Sequence, residues 1–392
     1  MKKVLSLLIL VLFLCSCSAT PNNNETQYCE SGIWISYYEI NSMLKSEKGF
    51  KSEFENVIEN CKKLQIQNLY IHTRAFGDSL YTSDYFPLMA GVKDYDYDVF
   101  SYIIEKCHKE NMLVHAWINP YRVSTATVNI DEIDKNSPAY KWLHDENTDN
   151  DLGVCFSNGI YFNPASQEVR RLVLDGIREL VAKYSVDGIH FDDYFYPTTK
   201  TDFDTASYNQ YKTSCEKPLS LAAWRRENVN LLISSCYEVI KYANKDIVFS
   251  ISPAASIESN FNNLYADVTE WIEKGYVDEI IPQLYFGFEY PDEEFRFENL
   301  LSVWKKAASS NKNVKLKIGL ANYKAKPSLE ADKAEWENNS DIIARQIAIC
   351  ENDNEISGYV LFSYSSVFGE EAEFREQREK IIEYLKSGEE NE

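Results

Sequence analysis

Asp187-Gly188-Ile189-His190-Phe191-Asp192-Asp193-Tyr194-Phe195-Tyr196-Pro197 is the stretch on which the fold of this chain turns. Strand alternation sets His190, Asp192 and Tyr194 on one side and Phe191 and Asp193 on the other. Apolar Ile189 and Phe191 are expected to pack on surrounding helices, which turns His190 and Asp192 inward. Asp193 falls where the strand ends, so its carboxylate turns over the rim. A helical period over 167–184 precedes the segment, and a long connection over 195–220 follows it before the next helical period, 219–242. That order is one βα unit of a parallel sheet.

Working outward, the same unit recurs. Short β-branched and aromatic runs lie at 32–38, 68–74, 113–119, 188–194, 247–253, 279–285, 315–321 and 358–364. Helical patterns fill the gaps at 51–64, 99–110, 167–184, 219–242, 266–274, 294–309, 341–351 and 371–385. Eight alternations predict an α/β protein of the (β/α)₈ TIM-barrel class rather than an open doubly wound sheet, and no GxGxxG follows the first run to suggest a dinucleotide. Long connections over 121–164 and 195–220 fall on the C-terminal rim, where barrel enzymes build their clefts.

The ends set the location. Met1-Lys2-Lys3 and the apolar run 4–14 form a short secretory signal that closes on Leu14-Cys15-Ser16-Cys17. Those residues resemble a bacterial lipobox, with Cys17 as the lipidated residue. The expected organisation is a lipoprotein signal peptide over 1–16, Cys17 and a flexible tether over 17–29, and a catalytic domain over 30–388, anchored outside the cytoplasm to the bacterial cell membrane. An ordinary signal peptide cleaved nearby is the plainer alternative. The net charge of −21 argues against nucleic acid and against a tightly held anionic glycan. Seven cysteines follow Cys17, an odd number with no CxxC pair, so neither a disulfide framework nor a zinc site is encoded. No cofactor and no protein partner is expected.

Two adjacent carboxylates in a partly desolvated mouth cannot both ionise without cost, so one becomes a proton donor beside an anion. Glycosidic cleavage needs that combination. A helix N-cap or a loop salt bridge is the plainer reading of an Asp-Asp pair, but no helix begins at once and aromatic residues follow. Other strand ends add Arg74 and Asp78 from the second run and His115, Trp117, Asn119 and Tyr121 from the third. Gln283 and Tyr285 come from the sixth. Rings that stack on sugars beside amides and carboxylates that bind hydroxyls fit a saccharide better than a lipid or nucleotide. Arg74 as an ion-pair partner, Trp117 as core and Tyr285 as a barrel cap are the structural alternatives.

These phrases, with Tyr161-Phe162-Asn163-Pro164, Ser252-Pro253, Gly319-Leu320-Ala321-Asn322-Tyr323-Lys324 and Phe362-Ser363-Tyr364, resemble the glycosyl-hydrolase-like family 10 of bacterial lipoproteins over 32–364. The resemblance implies a (β/α)₈ barrel and, in one branch, hydrolysis of peptidoglycan glycan strands stripped of their stem peptides. It also implies Asp192 and Asp193 as the catalytic pair, with Arg74, His115, Asn119, Asn163, His190, Gln283 and Tyr285 around the substrate. The first run departs from the family at Ser36-Tyr37-Tyr38-Glu39, where many members lead to Asp-Trp-Pro, and the sixth ends in Phe286 rather than Trp. The fourth-run segment is also similar to the family 18 chitinase pattern, with Tyr194 standing where that pattern has its catalytic Glu.

The expected function is hydrolysis of an N-acetylhexosamine-containing glycan. Asp193 is the proton donor and Asp192 the orienting carboxylate, or the reverse; Asp78, Glu39 or Glu289 is the alternative partner acid. A glycan-binding barrel without turnover, or a metal-dependent deacetylase or amidase using His190 with Asp192 and Asp193, are the rival readings.

Overall fold

A computed structural model describes residues 29–145, 151–327 and 330–389. The expected signal peptide, Cys17 and all of the tether before Cys29 lie outside the described residues. Eight strands form the barrel: β1 Glu30–Ile35, β2 Asn68–Arg74, β3 Leu113–Ile118, β4 Gly188–Phe191, β5 Val248–Ile251, β6 Glu279–Ile280, β7 Lys315–Ala321 and β8 Gly358–Phe362. Each pairs in parallel with its neighbour in sequence, and β8 pairs with β1 to close the cylinder. The chain is a (β/α)₈ TIM barrel.

Strands β2 and β7 occupy the expected ranges. Others end early for identifiable reasons. β6 covers two residues because Pro282 has no N–H for the ladder, and only isolated bridges at Gln283 continue the pairing. β1 stops at Ile35 because a helix, Tyr37–Met43, begins there, with the Ser36 N–H donating to Glu39 at 2.5 Å.

Alternation sorts the side chains into two cores. Ile189 and Phe191 are fully buried in the layer between strands and helices. Trp34, Tyr70 and Trp117 point into the cylinder; the Trp34 indole crosses it to reach His190 on the opposite strand at 3.0 Å. Below them Lys317 is paired with Glu30 at 2.7 Å and Glu279 at 2.9 Å, an ionic plug in which one buried ammonium holds two carboxylates and Glu279 Oε2 is left without a hydrogen-bond partner. His115 lies at this depth, stacked on Tyr70 at 4.4 Å and bonded to Asn68 at 2.9 Å. It is therefore interior filling below the mouth, which corrects its expected place around the substrate. Gly188 makes room for it, since a Cβ there would stand 2.1 Å from His115 Nδ1. Gly188→Ala is expected to lower stability by about 1–3 kcal/mol in urea unfolding. His115→Ala in the same chain should recover most of that loss, and a purely additive double variant would contradict this account.

The described parts of the two long connections carry secondary structure on the rim. The first carries a three-stranded antiparallel sheet of Arg122–Ser124, Gly153–Phe156 and Gly159–Phe162. The second carries the helix Thr205–Ser214 and is pinned by a buried bidentate pair, Arg225 to Asp204 at 2.9 and 2.6 Å.

Candidate active site

Where β4 ends, Asp192 and Asp193 leave the ladder and enter a cleft of about 280 Å³ at the C-terminal mouth. Asp192 is buried, and both its oxygens receive donors. Trp117 Nε1 donates to Oδ2 at 3.2 Å and the Tyr194 N–H donates to Oδ1 at 3.2 Å. Asp193 is only partly buried and takes a hydrogen bond from the Gln283 amide, itself fixed by donation to the Ser252 carbonyl at 2.9 Å. Burial pushes both carboxyls upward. For Asp192 the charge of Asp193 adds to that rise, while the Arg122 guanidinium opposes it.

The two carboxyls titrate as a pair, since charge on Asp193 opposes ionisation of Asp192. The two N–H donors to Asp192 favour its carboxylate and work against the burial and the Asp193 charge that raise it. Asp193 also takes two hydrogen bonds, from Gln283 and from its own backbone N–H, and is the more exposed of the two carboxyls. The Arg122 guanidinium carbon lies 3.2 Å from the Tyr194 ring centroid, and its charge lowers both acids.

Trp117, Asn119, Tyr194, Gln283 and Tyr285 line the cleft with the pair. Trp117 is nearly covered, with His72 stacked on it at 3.7 Å, so it acts as a hydrogen-bond donor and not as an open stacking platform. Tyr285 stacks on Phe362, at a centroid distance of 5.6 Å, as one wall.

His190, Arg74, Tyr121 and Asn163 need correction. His190 lies beneath the cleft. Trp34 donates to its Nε2, which leaves the ring proton on Nδ1 toward Ser250 Oγ at 2.8 Å, and burial holds the ring neutral. It supports the floor and does not touch the cavity. Arg74 points outward, because the pairing of β2 with β3 shifts register between His72 and Arg74. Its guanidinium lies 4.1 Å from the Phe86 ring centroid, in the outer layer. Tyr121 is buried in that layer, and the alternation of Arg122–Ser124 brings Arg122 to the cleft in its place. Asn163 is fully buried and ties the rim loop to Ser207 at 3.1 Å. Asp78 lies in an adjoining groove and not with the pair.

The cleft also contains Trp34, Tyr37, Tyr38, His72 and Phe76, which are not among the residues expected there from sequence. His72 was within reach of it, two positions along β2 from inward-facing Tyr70. Its Nδ1 accepts the Tyr37 N–H at 3.4 Å, so Nε2 carries the proton, and that atom has no partner. Asn119 Oδ1 is likewise unpaired. A buried donor and a buried acceptor without partners in one cleft wall suit a polar ligand group. Among the described residues no group of three His, Cys, Asp or Glu side chains has metal-holding geometry.

A family model described as Glycosyl hydrolase-like 10 matches residues 31–338. The Bacillus subtilis (strain 168) protein named glycosyl hydrolase YngK is 30% identical over 359 residues, covering 84% of this chain and 67% of that protein. Glycosyl hydrolase DigH of Escherichia coli (strain K12) is 26% identical over 438 residues, 97% of this chain and 95% of that protein. Of solved structures, the PgaB (BpsB) glycoside hydrolase domain from Bordetella bronchiseptica superimposes with a TM-score of 0.61 at 12% identity, covering 90% of this chain and 99% of that one. At that identity the likeness speaks for the barrel alone.

Proposed function

We propose that this chain, which belongs to the glycosyl hydrolase-like 10 family, hydrolyses β-glycosidic bonds in an N-acetylhexosamine-containing glycan with Asp193 as general acid and Asp192 as the carboxylate that orients the substrate. The observation that carries this is the placement of the pair. Asp192 and Asp193 are the only carboxylates among the described residues lining the cleft. A nucleophile or base acting from the opposite face of the sugar would be a second carboxyl about 5–10 Å away. The alternative partners do not supply it. Glu39 is consumed by the Ser36 N–H, the Ser363 hydroxyl and the Ser365 N–H. Asp78 lies in the neighbouring groove and Glu289 does not line the cleft.

Two acids delivered side by side leave the nucleophile to the substrate. In this mechanism Asp192 accepts the N–H of the 2-acetamido group and turns its carbonyl oxygen toward the anomeric carbon. Asp193 protonates the departing glycosidic oxygen as the bond breaks. Asp193, now ionised, removes a proton from the water that opens the cyclic intermediate, and the carboxyl is restored. Two displacements at one carbon retain configuration. Proton NMR of the first product formed from peptide-free peptidoglycan strands or chitin oligomers is expected to show the β-anomer. An α-anomer would exclude the substrate-assisted route, and no new reducing ends would favour a binding barrel.

The location belongs to the same proposal: an extracytoplasmic enzyme tethered through lipid on Cys17, facing the cell-wall glycan. Cys17→Ala is expected to move the protein from the membrane to the soluble fraction. Unchanged membrane association in that variant would remove Cys17 as the anchor.

A further inference from the structure

We infer that His72 and Asn119 together recognise a free hydroxyl on the ring carbon next to the acetamido carbon of the bound sugar. The unit held over Asp192 is then an N-acetylglucosamine and not a sugar whose 3-oxygen is substituted. This rests on the glycan reading above and names which sugar of an alternating strand occupies the cleft at the cut.

His72 is 6% exposed and Asn119 is 1% exposed, yet both line the cleft and each has one polar atom without a partner. On His72 that atom is Nε2. Burial, with Arg122 and His190 nearby, holds the ring neutral, and Nδ1 already accepts the Tyr37 N–H at 3.4 Å, so the single ring proton is on Nε2. On Asn119 the amide nitrogen donates to the Ala75 carbonyl at 3.3 Å, which leaves Oδ1 as the free acceptor. The two residues are neighbours. His72 pairs with Trp117 across β2 and β3, and Asn119 stands two positions beyond Trp117, its N–H donating to the Arg74 carbonyl at 2.8 Å. One wall thus offers one neutral donor and one neutral acceptor. A hydroxyl answers both, since it accepts and donates, whereas an ether oxygen only accepts. Leaving either buried atom unmatched costs more than an ordinary hydrogen bond gains.

The order of contacts around the mouth points to the position of that hydroxyl. Asp193 bonds to Gln283, beyond β6. Asp192 turns the other way, to Trp117 on β3, and His72 on β2 stacks on Trp117 at 3.7 Å. The order is therefore Asp193, Asp192, Trp117, and then His72 with Asn119. Around a hexosamine ring it is the reacting carbon, the acetamido carbon and the carbon bearing the 3-hydroxyl. With the departing oxygen at Asp193 and the acetamido group at Asp192, the 3-hydroxyl is the next group to meet the wall.

The two alternating sugars of peptidoglycan share the acetamido group and differ at that oxygen, a hydroxyl in one and a lactyl ether in the other. The ether can take the His72 proton but has nothing to give Asn119. The lactyl-bearing unit is accordingly placed on the leaving side of the bond, where its carboxylate stays clear of this wall.

The binding test uses the full-length Asp193→Asn protein and calorimetry with β-1,4-linked N-acetylglucosamine trimers, either unmodified or 3-deoxy throughout. The unmodified trimer is expected to bind about tenfold tighter or more, because the deoxy trimer leaves buried polar groups unmatched. His72→Phe, which keeps a ring on Trp117 but has no N–H, and Asn119→Leu should each reduce that ratio to about twofold. His72→Gln, whose amide can donate near the place of Nε2, should keep part of it. Equal binding of the two trimers, or a ratio that both His72→Phe and Asn119→Leu leave unchanged, would overturn the proposal. So would a 6-deoxy trimer that loses as much affinity as the 3-deoxy one. With the catalytic pair intact, new reducing ends on peptide-free strands should be N-acetylglucosamine, and lactyl-bearing reducing ends would also overturn it. No new reducing ends at all would count against the hydrolase reading, while the ratio of the two trimers would still decide the role of His72 and Asn119.

Discussion

Replacing Asp193 by Asn is expected to lower kcat on peptide-free glycan by about 10²–10⁴-fold, the usual contribution of a positioned general acid, with little change in KM. The side chain keeps its size and its contact with Gln283 but has no proton to give. The effect should depend on the leaving group. A nitrophenyl N-acetylhexosaminide departs without protonation, so its cleavage should fall far less than that of the glycan. The ratio of the two losses separates an acid from a residue that only shapes the cleft. Similar losses on both substrates would remove Asp193 from the donor role, and wild-type kcat on glycan would remove it from the mechanism.

The pH profile should carry the same signature. Burial raises the Asp193 carboxyl, so the wild-type enzyme keeps its donor protonated to a higher pH than a solvent-exposed Asp would. Activity should fall on the alkaline side as that proton is lost. In Asp193→Asn that limb should vanish for the residual activity.

How far the sequence reaches is clearest at β4. Ile189 and Phe191 outward, His190 and Asp192 inward, follow from period-two alternation alone, and a one-residue slip would have exposed the apolar pair. Alternation gives the side and not the depth. His115 and Trp117 share a face of β3, yet two residues are about 6.6 Å of rise, which separates the ionic plug from the mouth. One residue fills the interior and the other donates to Asp192. Arg74 marks a second limit. Its register shift is a local irregularity with no signature in residue type, and it sends a guanidinium expected in the mouth into the outer layer. Tyr121 and Arg122 exchange places for a related reason. Arg122 begins a rim strand whose own pairing sets its facing, and Tyr121 directly precedes it. The groove is the least legible feature, because its walls come from the loops after β2 and β3 together with Tyr37, residues distant in sequence.

Asp192→Asn is expected to lower kcat by about 10²–10³-fold, the range for losing one preorganised electrostatic contact to the reacting group. The amide cannot serve both existing donors. One of Trp117 Nε1 and the Tyr194 N–H must then face an NH₂ group, and the anion that would accept the acetamide N–H is gone. The loss should therefore be selective. Substrates that require their acetamido oxygen as nucleophile should suffer most, and added azide should not restore them. Stability supplies an independent reading, since the folded pair titrates above an unfolded Asp at about 3.9. Over that interval the folded state binds more protons than the unfolded one. The stability this contributes is complete below the unfolded value and is lost as pH rises through the folded value. Wild-type unfolding free energy should accordingly decline from about pH 4 upward, and Asp192→Asn, having lost one member of the pair and its repulsion, should show a shallower decline. Urea titrations across that range that give parallel slopes would mean the two carboxyls are not coupled, and a variant with full activity would leave Asp192 without a part in turnover.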